Sequence, residues 1–206
     1  MKDKSKTREY AESFFIAALI ALFLRCFVVQ AFKIPSSSME PTLLVGDHLL
    51  VNRLSYVVKV PFSDIVLLNL GNPSRGDVVV FRYPMDRSKD FIKRVVGKEG
   101  DVIQIRDKVI YLNGRKMDDP HAFFADDGIV PATFSQRDNF GPITVPEGCY
   151  FVMGDNRDRS LDGRFWGFVK KDDLIGRALV IYFSWDGRAD DALHYVRWER
   201  FCKPIR

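Results

Sequence analysis

Apolar residues are concentrated near the start of the chain. Residues 13–32 form a run of 20 interrupted only by Arg25 and Gln30, and Pro35 follows closely. A bilayer core needs about 20 mostly apolar residues in a helix, and a proline disfavours helical backbone in the residue before it. The pattern therefore predicts one N-terminal transmembrane helix over residues 13–32, preceded by a polar tail at residues 1–12.

Two other interpretations of this run fit less well. A cleaved signal peptide has an apolar core of about 7–15 residues followed by a small-residue cleavage site, and residues 26–30 (CFVVQ) offer no such site. A buried helix of a soluble domain is disfavoured because the run is apolar on nearly every face. Arg25 lies toward the end of the run, where its side chain can reach the interface and reduce the cost of a charge in the membrane, roughly 2.5–3.5 kcal/mol at the centre.

Residues 33–206 show the pattern of short strands separated by turns. Asn113-Gly114 is typical of a hairpin turn, residues 171–176 have the length of one helical turn, and residues 116–141 form an irregular insertion rich in Pro and Gly. The pattern predicts a mainly β fold, an antiparallel coiled or barrel-like sheet behind one transmembrane helix. The predicted strands are rich in β-branched and aromatic residues and lie at 48–54, 77–83, 91–97, 101–106, 108–114 and 177–185.

Composition and charge narrow the class of protein. The 206 residues include 47% hydrophobic residues, enough to bury a core, and carry a net charge of +4. That charge is too small to indicate nucleic-acid binding. Most of the excess lies in residues 1–34, which hold six Lys/Arg against three Asp/Glu. The positive-inside rule therefore predicts a cytoplasmic N-terminus, with residues 33–206 outside.

The histidines and cysteines indicate neither a metal nor a cofactor. His48, His121 and His194 show no metal-ligand spacing. Cys26 lies in the predicted anchor, whereas Cys149 and Cys202 would face a compartment that permits a disulfide. The spacing of these two cysteines does not fix whether they are paired.

Two segments carry a candidate nucleophile and a candidate base. The segment 35–47 (PSSSMEPTLLVGD) contains three consecutive serines, which alone are more typical of a juxtamembrane turn. A serine nucleophile needs a base and oxyanion donors. In FIKRVVG, strand alternation puts Lys93 on one face with Phe91 and Val95. Burial there would lower the pKa of the amine and let it act as a base, although most lysines are exposed.

A third segment, GDNRDRSLDGRFWGFV at 154–169, is rich in charged and small residues. It is typical either of a solvated loop or of a rigid hydrogen-bonded loop beside a site. Asp162 and Arg164 have the spacing for a charge-assisted pair, and Ser160 could offer its hydroxyl to a neighbouring amine.

These three segments, in this order behind an apolar run, resemble bacterial type I signal peptidases from about Phe32 to Tyr182. The resemblance implies that Ser38 is the nucleophile and Lys93 the general base. It also implies that Ser36 joins the Ser38 backbone N–H in the oxyanion hole, and that Ser160 orients the lysine amine. The remaining implied residues support the loop (Asp155, Asp162 and Arg164) or form shallow substrate pockets (Ile34, Met39, Leu43 and Ile92).

Two positions depart from the commonest family pattern, since Ser37 stands where Gly is frequent and Gly163 where Ser is frequent. The implied activity is removal of signal peptides from secretory preproteins that carry small residues at the minus-one and minus-three positions. It needs no cofactor. The implied partners are these preproteins and the lipid bilayer, without nucleic acid, and the implied location is the bacterial inner membrane, single-pass.

Other functions remain open at this point. A related Ser–Lys peptidase dedicated to one substrate has the same motifs. A self-cleaving repressor of related fold would need a DNA-binding domain where this chain has its apolar run. A non-catalytic, membrane-anchored β-domain is disfavoured because both Ser38 and Lys93 are present.

Overall fold

The computed structural model describes residues 6–59, 63, 65–187 and 195–206. Residues 1–5 of the predicted tail, with the basic Lys2 and Lys4, lie outside the described residues, as does His194.

The N-terminal segment is helical for only part of its predicted length. Helix α1 spans Lys6–Phe23, and a π-helical turn follows at Leu24–Val28. None of the α1 residues is buried. Within the described part of the chain, no helix is both long enough and apolar enough to cross a membrane.

The prediction of a continuous helix to residue 32 is wrong at its end, because Val29–Lys33 is a β-strand. This strand pairs antiparallel with Asp47–Asn52, so that Gln30 lies opposite Val51 and Phe32 opposite Leu49. The sequence VQAF suits a strand as well as a helix, and the neighbouring strand satisfies its backbone hydrogen bonds. Tertiary pairing therefore overrides the apolar pattern here.

The described residues contain fourteen strands. In chain order they are β1 (Val29–Lys33), β2 (Asp47–Asn52), β3 (Val57–Lys59), β4 (Val66–Asn69), β5 (Val78–Arg82), β6 (Asp90–Lys98), β7 (Val102–Arg106), β8 (Val109–Leu112), β9 (Arg115–Lys116), β10 (Phe140–Thr144), β11 (Cys149–Met153), β12 (Val169–Lys170), β13 (Leu174–Ser184) and β14 (Lys203–Pro204). A short helix, α2, spans Gly163–Trp166. The prediction of a mainly β protein is confirmed.

Eight of these strands form the main sheet, in the order β1-β2-β13-β5-β6-β11-β12 with β14 beside β13. Every pairing is antiparallel, as predicted. The long strand β13 shifts register against β2 and β5, and irregularities of this kind bend and twist a sheet.

Two smaller sheets complete the fold, one of four strands in the order β10-β7-β8-β9 and one formed by β3 and β4. Asn113 and Gly114 make the turn between β8 and β9 with φ of 53° and 78°, the conformation that favours this residue pair in tight hairpins. The helical turn considered at residues 171–176 is a 3-10 turn at Lys171–Asp173, after which β13 begins.

A buried hydrophobic cluster underlies the serine-rich segment. It joins Ile34, Met39 and Leu43 to side chains from β2, β5 and β13, and Ile92 packs against it. Met39 and Leu43 are fully buried, and truncating such a side chain to Ala typically costs about 2–5 kcal/mol. This burial fixes the backbone on both sides of Ser38.

Candidate active site

Ser38 lies in a 3-10 turn, Ser37–Met39, that follows β1 after a short extended connection. Glu40 N–H donates to Ser37 O at 3.1 Å, and Leu43 N–H donates to Met39 O at 2.9 Å. The Ser38 side chain is buried but reaches the neighbouring strand. The apolar anchor of Met39 and these bonds hold its hydroxyl in one place.

Lys93 comes from the middle of β6, opposite Val79 of β5. Its Nζ lies 2.6 Å from Ser38 Oγ and 3.0 Å from the carbonyl oxygen of Ile92. The residue is only 4% exposed, and its amine lies 5.6 Å from the centre of the Phe91 ring. The two residues that sequence analysis assigned as nucleophile and base are thus in direct contact.

Burial lowers the pKa of the Lys93 amine from 10.5 to about 8. The negative charges of Asp162 and Asp155 oppose this effect, and the positive charge of Arg164 adds to it. Loss of solvation penalises the charged form of a buried lysine. A substantial fraction of the amine is therefore neutral in mildly alkaline solution and can accept the proton of Ser38.

Ser36 lies on the solvent side of the pair. Its Oγ is 3.5 Å from Ser38 Oγ, at the limit of a hydrogen bond, and the residue is exposed. The hydroxyl can therefore donate to an atom that binds in the adjoining cleft.

Asp155 joins three parts of the site. It accepts two hydrogen bonds from Arg94, at 2.8 and 2.6 Å, and one from Thr42 Oγ1 at 2.6 Å. Both members of the ion pair are buried. Arg94 follows Lys93 in β6 and Thr42 follows the serine turn, so this cluster joins the strand of Lys93, the turn of Ser38 and the loop that carries Asp155. Sequence analysis missed Arg94 and Thr42, since the pairing depends on the order of strands in the sheet.

Asp162 and Arg164 form a second buried, two-pronged ion pair, with both contacts at 2.9 Å. Burial alone would raise the pKa of Asp162, but the charge of Arg164 and its hydrogen bonds hold that pKa below its usual range, together with the N–H of Gly154. Asp162 also caps helix α2 by accepting from the Arg164 N–H. The pair stays charged and fixes the loop.

Ser160 is buried next to Gly154. It lies close enough to Asp162 to help lower that pKa, but its Oγ makes no well-formed hydrogen bond to any described residue. Its predicted role in orienting the Lys93 amine stays a prediction.

Two residues of the 154–169 loop that sequence analysis did not single out hold the serine turn. Asn156 Nδ2 donates to Ser37 O, and the Asn156 backbone N–H donates to Ser38 O, both at 3.2 Å. A Cβ on Gly154 would lie 2.3 Å from both Ser38 O and Ser160 Oγ. Only glycine fits there, and the glycine that opens the polar segment after an apolar strand was the available signal.

The irregular insertion at residues 116–141 packs against the same loop. Phe123 N–H donates to Asp155 O at 2.8 Å, and Phe123 O accepts from the Arg157 N–H at 2.9 Å. The guanidinium of Arg157, itself 2% exposed, forms an ion pair with Asp119. The insertion therefore supports the loop that carries Asp155 and Asn156.

An open cleft of about 1030 Å³ borders the serine turn. Its lining includes Ile34, Ser36, Glu40 and Arg159. Of the other predicted pocket residues, Met39 and Leu43 are fully buried and Ile92 is half-buried in the cluster below the turn.

Among the described residues, no three His, Cys, Asp or Glu side chains are grouped as metal ligands would be. The thiols of Cys149 and Cys202 are both free.

The sequence profile of one protein family, described as "Signal peptidase, peptidase S26", matches residues 7–185. The chain belongs to the S26 signal peptidase family. This S26 peptidase is 38% identical to "Signal peptidase I" of Pseudomonas fluorescens over 86% of this chain and 72% of the relative. It is 34% identical to "Signal peptidase I" of Aquifex aeolicus over 86% of this chain and 84% of the relative.

A solved structure of a signal peptidase I from Enterococcus faecalis matches with 30% identity and a TM-score of 0.41, covering 52% of this chain and 97% of that chain. The family match and the sequence relatives show that the S26 peptidase is a serine peptidase, a hydrolase of the signal peptidase I type, as the motifs predict.

Proposed function

We propose that this S26 peptidase removes signal peptides from secretory preproteins with a catalytic dyad of Ser38 and Lys93. The observation that carries the proposal is the 2.6 Å contact between Lys93 Nζ and Ser38 Oγ. A base must also be partly neutral at the working pH, and burial brings the pKa of Lys93 to about 8. A base with a pKa near the working pH combines the correct protonation state with sufficient basicity.

The reaction begins with neutral Lys93, which takes the proton of Ser38 as Oγ attacks the scissile carbonyl carbon. The backbone N–H of Ser38 and the hydroxyl of Ser36 donate to the oxyanion. The Lys93 ammonium then protonates the leaving amine, and the peptide bond breaks to give an acyl-enzyme. Lys93, again neutral, activates the water that hydrolyses the ester.

Ser36 is expected to contribute less to kcat than Ser38. One oxyanion donor typically contributes about 2.7–4 kcal/mol, a factor of roughly 10²–10³ in kcat. We therefore expect Ser36→Ala to lower kcat by that factor while KM changes little. Steady-state kinetics with a peptide substrate measure both constants, and a loss as complete as that of Ser38→Ala would contradict this role.

The substrate is expected to bind in extended form between the segment at Ile34 and strand β6 at Ile92, as an added strand. Small residues at the minus-one and minus-three positions fit shallow apolar pockets formed by these side chains. Met39 and Leu43 support the pockets from below, since both are buried in the same cluster. Ser160 would orient the amine of Lys93 once substrate orders the site.

We also propose that residues 13–28, in which the end of α1 continues into the π-helical turn, anchor the enzyme in the bacterial inner membrane as a single pass that neither helical element could make alone. The large apolar side chains of α1 support this, because they are exposed, for example Phe14 at 76% and Ile16 at 57%. The basic residues before the run favour a cytoplasmic N-terminus and an extracytoplasmic domain. The preproteins and the lipid bilayer are then the partners.

Cleavage of a purified preprotein in detergent, followed by sequencing of the new N-terminus, tests the function. We expect the wild-type protein to cut at the end of the signal peptide and Ser38→Ala and Lys93→Ala to leave it intact. Lys170→Ala, which changes an exposed lysine on β12, is the control. Full activity in either dyad variant would contradict the mechanism.

A further inference from the structure

A second large cavity, of about 1120 Å³, lies where the N-terminal helical segment meets the main sheet. Four arginines line it: Arg25, Arg53, Arg82 and Arg87. Asp90 is the only carboxylate among the described residues of its lining, and Leu22 of α1 contributes an apolar wall. This cavity is separate from the cleft at Ser36, since the two share no lining residue.

The four guanidinium groups come from distant parts of the sequence. Arg25 lies in the π-helical turn and Arg53 in the 3-10 turn after β2. Arg82 is the last residue of β5, and Arg87 lies in the connection to β6. Placing four like charges around one cavity is unfavourable unless an anion neutralises them.

Carboxylates lie beside two of the four arginines. Asp90 lies opposite Arg82 in the ladder between β5 and β6, and Arg87 pairs with Asp173 at 2.8 Å. Within the described part of the chain, Arg25 and Arg53 have no salt-bridge partner. Burial raises the pKa of Asp90, and the charges of Arg82 and Arg53 only partly oppose this.

The position of the cavity indicates the source of the anion. α1 ends at Phe23, and Phe23 and Leu24 are 58% and 47% exposed. If this helix lies in the acyl region, as the proposed anchoring requires, then Arg25 and the cavity lie at the level of the headgroups. Basic pockets beside membrane helices are suited to anionic headgroups, and a guanidinium binds two phosphate oxygens at once.

We propose that this cavity binds the phosphate of an anionic phospholipid headgroup. The inference rests on the membrane anchoring proposed above, but not on the catalytic dyad. Arg25 and Arg53 contact the phosphate, and Arg82 and Arg87 add positive charge around it. The bound lipid then fixes the sheet at a set orientation against the membrane surface.

Native mass spectrometry of the full chain in neutral detergent, titrated with phosphatidylglycerol or phosphatidylcholine, tests this site. We expect preferential binding of phosphatidylglycerol, and about 25-fold weaker binding in R25Q/R53Q, from roughly fivefold for each arginine near a surface. The matched control R106Q/R115Q changes two exposed arginines of the four-stranded sheet and should bind like wild type. Equal affinity for phosphatidylcholine, or unchanged affinity in R25Q/R53Q, would overturn the proposal.

Two further measurements distinguish a lipid headgroup from other occupants of the cavity. Inorganic phosphate that displaced phosphatidylglycerol at equal concentration would assign the cavity to the free ion and overturn the lipid assignment. A several-fold rise in KM of R25Q/R53Q for a preprotein, in lipid-free detergent, would assign it to the signal peptide instead. The lipid titration is repeated on Ser38→Ala, so failure of the dyad leaves the lipid result intact.

Discussion

The protonation state of one buried side chain governs the proposed chemistry. Lys93 acts as a base only when it is neutral, and its pKa is about 8. At pH 7 only about a tenth of the amine is neutral, and the neutral fraction approaches one above pH 9. We therefore expect kcat/KM to rise with pH through a midpoint near 8, measured with a peptide substrate between pH 6 and 10.

The variant Lys93→Arg is a second test of lysine as the base. The guanidinium keeps the positive charge but does not lose its proton in the accessible range, so the variant should be inactive at every pH. Activity in Lys93→Arg, or a midpoint near the usual histidine pKa of ~6.5, would contradict lysine as the base.

Asn156 is expected to act as a positioning residue for the nucleophile. Its side chain donates to Ser37 O, and a neutral hydrogen bond contributes about 0.5–1.5 kcal/mol. Asn156→Ala should therefore lower kcat about 3–10-fold with little change in KM, because the serine turn loses the side-chain hydrogen bond that helps to hold it. Asn69→Ala, on the exposed strand β4, is the control, and an equal loss in both variants would rule out a specific effect.

At the scale of elements, we expect the 116–141 insertion to stabilise the 154–169 loop through the ion pair of Asp119 with Arg157. Asp119→Ala would leave the Arg157 guanidinium, 2% exposed, without its carboxylate. Breaking a buried pair typically costs about 3–5 kcal/mol. We expect a clearly lower midpoint in chemical denaturation and a lower kcat for Asp119→Ala, with both measured on one preparation.

The neighbouring Asp118 provides the matched control, since it is exposed and lies one residue before Asp119. Asp118→Ala should unfold at the wild-type midpoint. If Asp119→Ala did the same, the insertion would not stabilise the loop through this pair.

A high content of β-branched and aromatic residues between turn residues was a reliable guide to strands. It predicted β2, β5, β6, β7, β8 and β13 within a few residues. It missed β11, whose sequence CYFVM is almost wholly buried. It also missed β1, because VQAF continues an apolar run that suits a helix equally.

At the candidate active site, too, only residues that lie in local motifs could be predicted from the sequence. Ser38, Lys93, Asp162 and Arg164 were recognised from local motifs, and the structure brings them together. The contacts of Asp155 with Arg94 and of Asn156 with Ser37 join residues 61 and 119 positions apart in the chain. Such pairs are set by the order of strands in the main sheet and leave no local pattern in the sequence.

At the scale of the whole molecule, the exposed apolar face of α1 should determine membrane attachment. Ile16 and Leu19 are 57% and 51% exposed. An aspartate in the centre of a membrane helix costs roughly 2.5–3.5 kcal/mol. I16D/L19D should therefore co-sediment with lipid vesicles at least 100-fold more weakly than the wild-type protein.

Ile129→Asp is the control for this experiment, because Ile129 is also 51% exposed but lies in the 116–141 insertion. It should sediment with vesicles like wild type. Equal loss in both variants would show that general surface polarity, and not α1, determines attachment.

The direct passage from helix to sheet has a consequence for how the enzyme selects its cleavage point. The π-helical turn ends at Val28, β1 starts at Val29, and Ser38 follows only five residues after β1 ends at Lys33. Because β1 is paired along its whole length, it spans a fixed distance of roughly 17 Å. The fold therefore holds Ser38, the proposed nucleophile, at a fixed distance from the end of the helix. A flexible insert between Val28 and Val29 would let the distance between Ser38 and the end of the helix vary. Cleavage would then spread to peptide bonds farther from the membrane.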